Sequence, residues 1–172
     1  HWVTPPVDPA TGLPLPIEPA TLRAALAAAE RSTRAGTGRV VAVHLTDPAY
    51  VGSCGDIAAW AAAAHDHGMP LLIDAAWAAH FGFHPDLPGH AIARGADALV
   101  TSAHKALPAW SQAALILTRD GRIDAARLEA AVEATHTTSP SGAVLASIDA
   151  ARALLARDGA DLLGRAVAGV AR

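Results

Sequence analysis

Apolar and polar positions fall along this chain in blocks of two lengths. Short apolar runs at 40–45 (VVAVHL), 69–74 (MPLLID), 98–101 (ALVT) and 113–118 (AALILT) have the length and composition of strands buried in a sheet. Longer stretches repeat their apolar positions at helical spacing. The stretch TLRAALAAAERS predicts an amphipathic helix that ends before Gly36-Thr37-Gly38, and Asp56–His67 predicts a second that closes at Gly68. A short helix is expected over Gly89–Arg94, ending at Gly95. Further helices are expected over 124–134, 143–155 and 162–170, with a turn at 119–122. Half of the prolines fall within the first nineteen residues, so His1–Pro16 should be extended or looped, because too many amide donors are missing.

Strand, helix and strand in this order imply right-handed crossovers and a mostly parallel sheet covered by helices, an α/β fold. The chain divides into an extended Pro-rich segment (1–17), a main α/β body (18–158) and a C-terminal helix (159–172). In such sheets ligands bind beyond the carboxyl ends of the strands. Three strand ends carry polar groups here: Thr46–Gly52, Asp74–His84 and Ser102–Lys105.

Composition sharpens this picture. The hydrophobic fraction is 52%, yet 44 of the 172 residues are Ala, so the core is built by close packing of helices and strands more than by bulky side chains. The formal charge of −3 excludes a basic surface for nucleic acid or an anionic membrane. No apolar run approaches the ~20 residues of a membrane span, and no basic-then-apolar leader opens the chain. One cysteine, Cys54, allows neither an internal disulfide nor a cysteine-based zinc cluster, and fits a reducing, cytoplasmic setting. The first residue is His1, so a processed chain or a piece of a longer product is expected.

The basic residues are twelve arginines and one lysine, Lys105. A lysine kept where arginine is the rule suits a task that arginine cannot perform. An amine can lose its proton and attack a carbonyl, whereas a guanidinium practically never does; a surface lysine kept by chance is the plain alternative. Asp74 ends a buried strand, where a carboxylate calls for a cationic partner or a bond to a loop amide. A protonated pyridine nitrogen would be one such partner. Asp74 and Lys105 can thus bracket a pyridoxal 5'-phosphate ring, the lysine holding its aldehyde as a Schiff base. Ser102 and His104 stand beside the lysine and can offer donors to a phosphate.

The motifs Thr46-x-Pro48-x-Tyr50-x-Gly52, Leu72-Ile73-Asp74-x-Ala76-Trp77-x-x-His80-Phe81, Gly95-Ala96-Asp97, Ser102-x-His104-Lys105-x-Leu107 and Gln112-Ala113 occur in this order. They are followed by Thr138-Ser139-Pro140-Ser141 and by 146–152 (ASIDAAR). Together they resemble the bacterial ornithine/lysine/arginine decarboxylases, whose major domain has the aspartate-aminotransferase-like fold of pyridoxal-phosphate enzymes. The resemblance implies Lys105 as the catalytic, cofactor-bearing lysine and Asp74 as partner of the pyridine nitrogen. It also implies Ala76 against the ring, Trp77 beside the cofactor, and Ser102 and His104 near the phosphate. The implied reaction is loss of the α-carboxylate from a basic amino acid to give an amine, and the implied assembly is a homo-oligomer, a dimer or larger.

In that family the cofactor region begins earlier than His1, with a phosphate-gripping loop and an aromatic group that stacks on the ring, and a C-terminal domain follows. Gly142 stands where the family has Tyr after Ser-Pro-Ser. The alternatives are another enzyme of the same fold, an aminotransferase or aldolase-type lyase, and a truncated, non-catalytic paralogue.

The other features have plainer readings. His80 and His84 have the spacing of a zinc pair on a helix, but Gly82 and Pro85 argue against a helix there, and no metal is expected. His65 and His67 close a helix, where a charge complementing the helix carbonyl end explains them. Trp60 is expected in the core or an interface, Trp110 in the core or, being near Lys105, against the cleft or a second subunit, and Ser111 and Gln112 at a strand opening with structural roles. Cys54 lies near no base that would make it a nucleophile.

Overall fold

A computed structural model describes residues 1–34, 38–119, 121–136, 139 and 141–170. Gly36 and Thr37, Asp120, Thr138, Pro140 and the last two residues, on which parts of the expectations above fall, lie outside the described residues.

The helix α1 (Pro19–Arg34) buries Leu22, Leu26 and Ala29, one stripe at helical spacing. After it comes strand β1 (Val43–Thr46), then α2 (Ile57–Asp66) and β2 (Leu71–Asp74). The Asp56 side chain caps α2 by accepting from the Ala59 amide, and the helix buries Ile57, Trp60, Ala61, Ala63 and Ala64. Then follow β3 (Ala98–Ser102), the single turn α3 (Ala103–Ala106), β4 (Ala114–Thr118), α4 (Ala125–Thr135) and α5 (Gly142–Val170).

The strands form one sheet in the order β1-β2-β3-β4. β1, β2 and β3 run parallel, while β4 pairs antiparallel with β3. The α/β class and the mostly parallel sheet agree with the sequence pattern. β4 reverses because the link from Ser102 to Ala114 holds only one helical turn, too little for the crossover that a parallel return needs. Strands β1 and β2 begin later than the apolar runs suggest. Pro70 has no amide to give the ladder, although its carbonyl accepts from the Val43 amide at 2.9 Å.

One face of the sheet carries Leu71, Ile73 and Leu99, which belong to one buried cluster with residues of α1 and α2. The opposite face presents Asp74, with Val100 and Ile116 about half exposed. The N-terminal segment is looped, as expected, and is tied down by Trp60, whose indole N–H donates to the Ile17 carbonyl at 2.7 Å. Trp60 is buried, as the pattern implies, and its ring fills the space a side chain at Gly55 would need. An apolar cavity of about 780 Å³ lies between this segment, α1 and β1.

Two expectations about helices are corrected. The stretch Gly89–Arg94 forms turns and no helix. Five residues between Gly89 and Gly95 give too few hydrogen bonds to offset the cost of helix nucleation. The C-terminal region is one continuous helix, not two, and position 158/159 lies inside it. Gly159 is buried there against Phe83 and Leu155, and Gly164 lies against His84. A side chain at Gly164 would crowd His84, whereas one at Gly159 would make ordinary contacts with Phe83 and Leu155.

Candidate active site

The carboxyl edges of β1, β2 and β3 bring three loops together. Asp74 is the last residue of β2, and its backbone is held from both sides. Its carbonyl accepts from the Asp47 amide at 2.9 Å, and the next amide, of Ala75, donates to Val100 at 2.8 Å. The Thr101 hydroxyl, buried, donates to the Ala75 carbonyl at 2.9 Å. Asp74 is half-buried and lies on the sheet face that carries Val100. One carboxylate oxygen accepts from the Ala76 amide at 3.0 Å. Among the described residues the other takes no hydrogen bond. Both expected fates of this aspartate are therefore open to it at once: one oxygen bonds a loop amide and the other remains for a cation.

Trp77 follows in the same loop with 37% of its surface exposed. Lys105, exposed in α3, reaches back so that its ammonium lies 5.0 Å from the centre of the Trp77 ring. That distance is within cation–π range. Tyr50, from the loop after β1, meets Trp77 edge to face, with centroids 5.5 Å apart and planes at 76°.

Ser102 and His104 flank this group. Ser102 precedes α3, yet its side chain makes no capping hydrogen bond, so its hydroxyl is available to a ligand. His104 Nδ1 lies 2.8 Å from the Ala113 carbonyl, an acceptor only, so Nδ1 carries the proton and Nε2 is left. As an imidazolium, His104 donates from Nε2 as well. Ala113 follows Gln112, a non-glycine residue at φ 71°.

The six residues expected at the cofactor, Asp74, Ala76, Trp77, Ser102, His104 and Lys105, thus sit at or beside one sheet edge. The residue whose contact was missed is Tyr50. The available signal was its place two residues after Pro48, beyond the end of a strand.

Other expectations fare less uniformly. Trp110 is 63% exposed, not core, because the 107–113 turn lifts it off the sheet. Its amide donates to the Ser147 hydroxyl of α5 at 3.1 Å. Ser111 and Gln112 form the turn before β4 instead of opening the strand. His65 and His67 pair with carboxylates: His65 Nε2 lies 2.7 Å from Asp97 and His67 Nδ1 lies 2.6 Å from Glu30. Both close α2 as expected, and their partners, before β3 and on α1, are long-range and invisible to local spacing. Cys54 is exposed. Asp47 is buried and accepts from the Gly55 amide at 2.6 Å; burial pushes its carboxyl above the ordinary range, opposed by that amide and by Arg94. Among the described residues no cluster of three His, Cys, Asp or Glu side chains is placed to hold a metal ion. No helix among them is long and apolar enough to cross a membrane.

The chain matches the family of the Orn/Lys/Arg decarboxylase major domain over residues 2–171. It belongs to that family. An arginine decarboxylase of Bacillus cereus is 30% identical over 166 residues, which cover 96% of this chain and 34% of the relative. An arginine decarboxylase of Halalkalibacterium halodurans is 36% identical over 118 residues, 69% of this chain and 24% of the relative. The uncharacterized protein YaaO of Bacillus subtilis is 33% identical over 153 residues, 88% of this chain and 30% of the relative. The decarboxylase-domain chain thus spans about a quarter to a third of the length of these relatives. Among solved structures, a chain of the SepCysS–SepCysE N-terminal domain complex superposes with a TM-score of 0.58 at 16% identity. It covers 81% of this chain and 37% of that one, a likeness of fold.

His80 packs edge to face on Phe81, and its buried Nδ1 has no hydrogen-bond partner among the described residues. Burial holds the imidazoles of both His80 and His90 below the ordinary histidine value. The unfolded chain takes up protons near about pH 6.5. Below that pH it binds more protons than the folded protein, so stability falls on acidification. The His80→Leu variant should therefore lose less melting temperature than the wild type between about pH 7 and 5.5. An equal loss in both would mean that this imidazole does not contribute.

Proposed function

We propose that the protein containing this chain decarboxylates a basic amino acid with the help of pyridoxal phosphate, and that arginine is its preferred substrate. The observation carrying this reading is the convergence of Asp74, Trp77 and Lys105 at the carboxyl edge of a mostly parallel sheet, in a member of this family. The arginine preference rests on the relatives named as arginine decarboxylases.

The donor set fits the cofactor. It offers one carboxylate oxygen for a pyridinium N–H, one amine for an aldehyde, and a hydroxyl with an imidazole for a phosphate. When bound, the cofactor supplies an electron sink for the pair of electrons left as CO2 departs. Asp74 would keep the proton on the ring nitrogen, held in place by the Ala76 amide and by the clamped backbone at residues 74–75. Ala76 leaves room for a flat ring. Ser102 would donate its hydroxyl, and His104 as an imidazolium its Nε2 proton, to phosphate oxygens. Lys105 would hold the cofactor through its Nζ and, when free of it, would carry a proton on that same atom. A homo-oligomer, a dimer or larger, belongs to the same proposal.

The test supplies the whole protein with pyridoxal phosphate and arginine, ornithine or lysine, and follows CO2 and amine. CO2 and the matching amine should appear in equal amounts, fastest with arginine. Formation of a keto acid without CO2 would sink the decarboxylase reading in favour of amino-group transfer. A preference for ornithine or lysine would overturn the substrate assignment alone.

A further inference from the structure

Tyr50 stands out as a large aromatic side chain left 82% exposed, next to the site yet with no role in it so far. Its position is nevertheless well fixed. The Asp47 amide is bonded to β2 and the Asp47 carboxylate to the Gly55 amide. Between them the Ala49 amide donates to the Ser53 carbonyl at 2.9 Å and the Gly52 amide to the Ala49 carbonyl at 2.8 Å. This closed turn presents the Tyr50 ring edge to face against Trp77, which in turn lies under the Lys105 ammonium. Three loops from three adjacent strands are thereby linked as Tyr50, Trp77 and Lys105.

We propose that Tyr50 is a positioning residue: its ring fixes the Trp77 indole as a seat on which the amine of Lys105 rests until a carbonyl compound takes it up. An exposed indole can turn about two side-chain bonds, and a lysine about four. The edge-to-face contact limits the first, and the π face limits the second through an attraction that only the charged amine feels. The seat keeps the chain's one lysine amine against the loop that follows Asp74 and screens it from chance reaction. The proposal rests on Lys105 being the reactive amine of the proposed function, though the seat itself involves no cofactor.

Acetylation with a water-soluble amine reagent tests it in the whole protein without cofactor. The stretch 95–119, released at arginines, contains Lys105 as its only amine side chain, so its mass gain reads this residue alone. An exposed cation–π contact corresponds to about a two- to fivefold change. Tyr50→Ala and Trp77→Leu should each raise the Lys105 acetylation rate by that factor. The double variant should gain no more than Trp77→Leu alone, and Tyr50→Phe, which keeps the ring, should react like the wild type. Tyr50 is exposed enough that none of its variants should change the melting temperature. An unchanged rate in Tyr50→Ala, or a Tyr50→Phe protein as reactive as Tyr50→Ala, would overturn the role of the ring. Borohydride fixation of pyridoxal phosphate, followed on the same stretch, separates the two readings. Acetylation effects as expected with no cofactor fixed at Lys105 would leave the seat standing and remove the cofactor assignment.

Discussion

Lys105→Ala in the whole protein is expected to abolish fixation of pyridoxal phosphate on the 95–119 stretch and to slow decarboxylation by about 10²–10⁴-fold, the scale of a well-placed acid–base group. The loss should come without a change in stability. Lys105 is exposed, in a single helical turn, and its ammonium rests on the half-exposed Trp77 ring, so removing it leaves no buried group unpaired. Lys105→Arg is the more telling variant. It keeps the positive charge and can still lie on the indole, but a guanidinium stays protonated and does not attack an aldehyde. It should therefore be as inactive as Lys105→Ala while preserving the seat. Cofactor fixed at 95–119 in either variant would overturn the assignment of Lys105. Decarboxylation at the wild-type rate would do the same for its part in the chemistry.

Much of this site was legible because its chemistry lies in residue types that are rare in their setting. A single lysine among arginines, and an aspartate ending an apolar run, stand out without any knowledge of what they touch. The parallel strands were legible because a strand buried on one or both faces must be written in apolar residues. What stayed hidden was decided by contacts far apart in sequence. Asp97 drew attention only as part of a Gly-Ala-Asp motif, yet His65 bonds to it across a separation of 32 residues. His67 reaches α1, and Trp110 is held away from the core by a turn. The pattern ends one helix at Leu155 and starts another at Leu162, and the glycine between them costs about 1 kcal/mol against alanine inside a helix. The helix nevertheless runs through Gly159 and packs there against Phe83, a contact that only the fold reveals. Tyr50 was quoted in a motif, but the edge-on contact that gives it a task depends on the loop after β2.

Asp97→Ala is expected to be the most destabilising single change, by about 3–5 kcal/mol, the usual cost of removing one partner from a buried charged or hydrogen-bonded pair. Asp97 is 1% exposed. One carboxylate oxygen accepts from the Leu71 amide at 2.9 Å and from His65 Nε2 at 2.7 Å. The other lies 3.6 Å from the Arg122 guanidinium. Its backbone amide donates to the Leu71 carbonyl at 2.9 Å, and its carbonyl accepts from the Arg119 amide at 3.1 Å. A single residue thus joins the end of α2, the start of β2, the approach to β3 and the end of β4. Alanine keeps the backbone bonds but strands the Leu71 amide and the His65 ring. Asparagine can set its one side-chain oxygen where both the Leu71 amide and His65 Nε2 reach it, with its amide nitrogen turned to the side of Arg122, so Asp97→Asn should cost only about 1–2 kcal/mol. Denaturant unfolding of the three proteins checks the order, against a total stability of about 5–15 kcal/mol for a domain. Equal stability of Asp97→Ala and the wild type would mean that these bonds do not hold the sheet together. Asp97 stands at the amino-terminal edge of β3, whereas Lys105 lies beyond its carboxyl edge, so the two sites should respond separately. In conditions where Asp97→Ala remains folded, pyridoxal phosphate should still be fixed at Lys105 to the wild-type extent. A folded Asp97→Ala protein that fails to fix it would show that the site depends on the far end of the sheet.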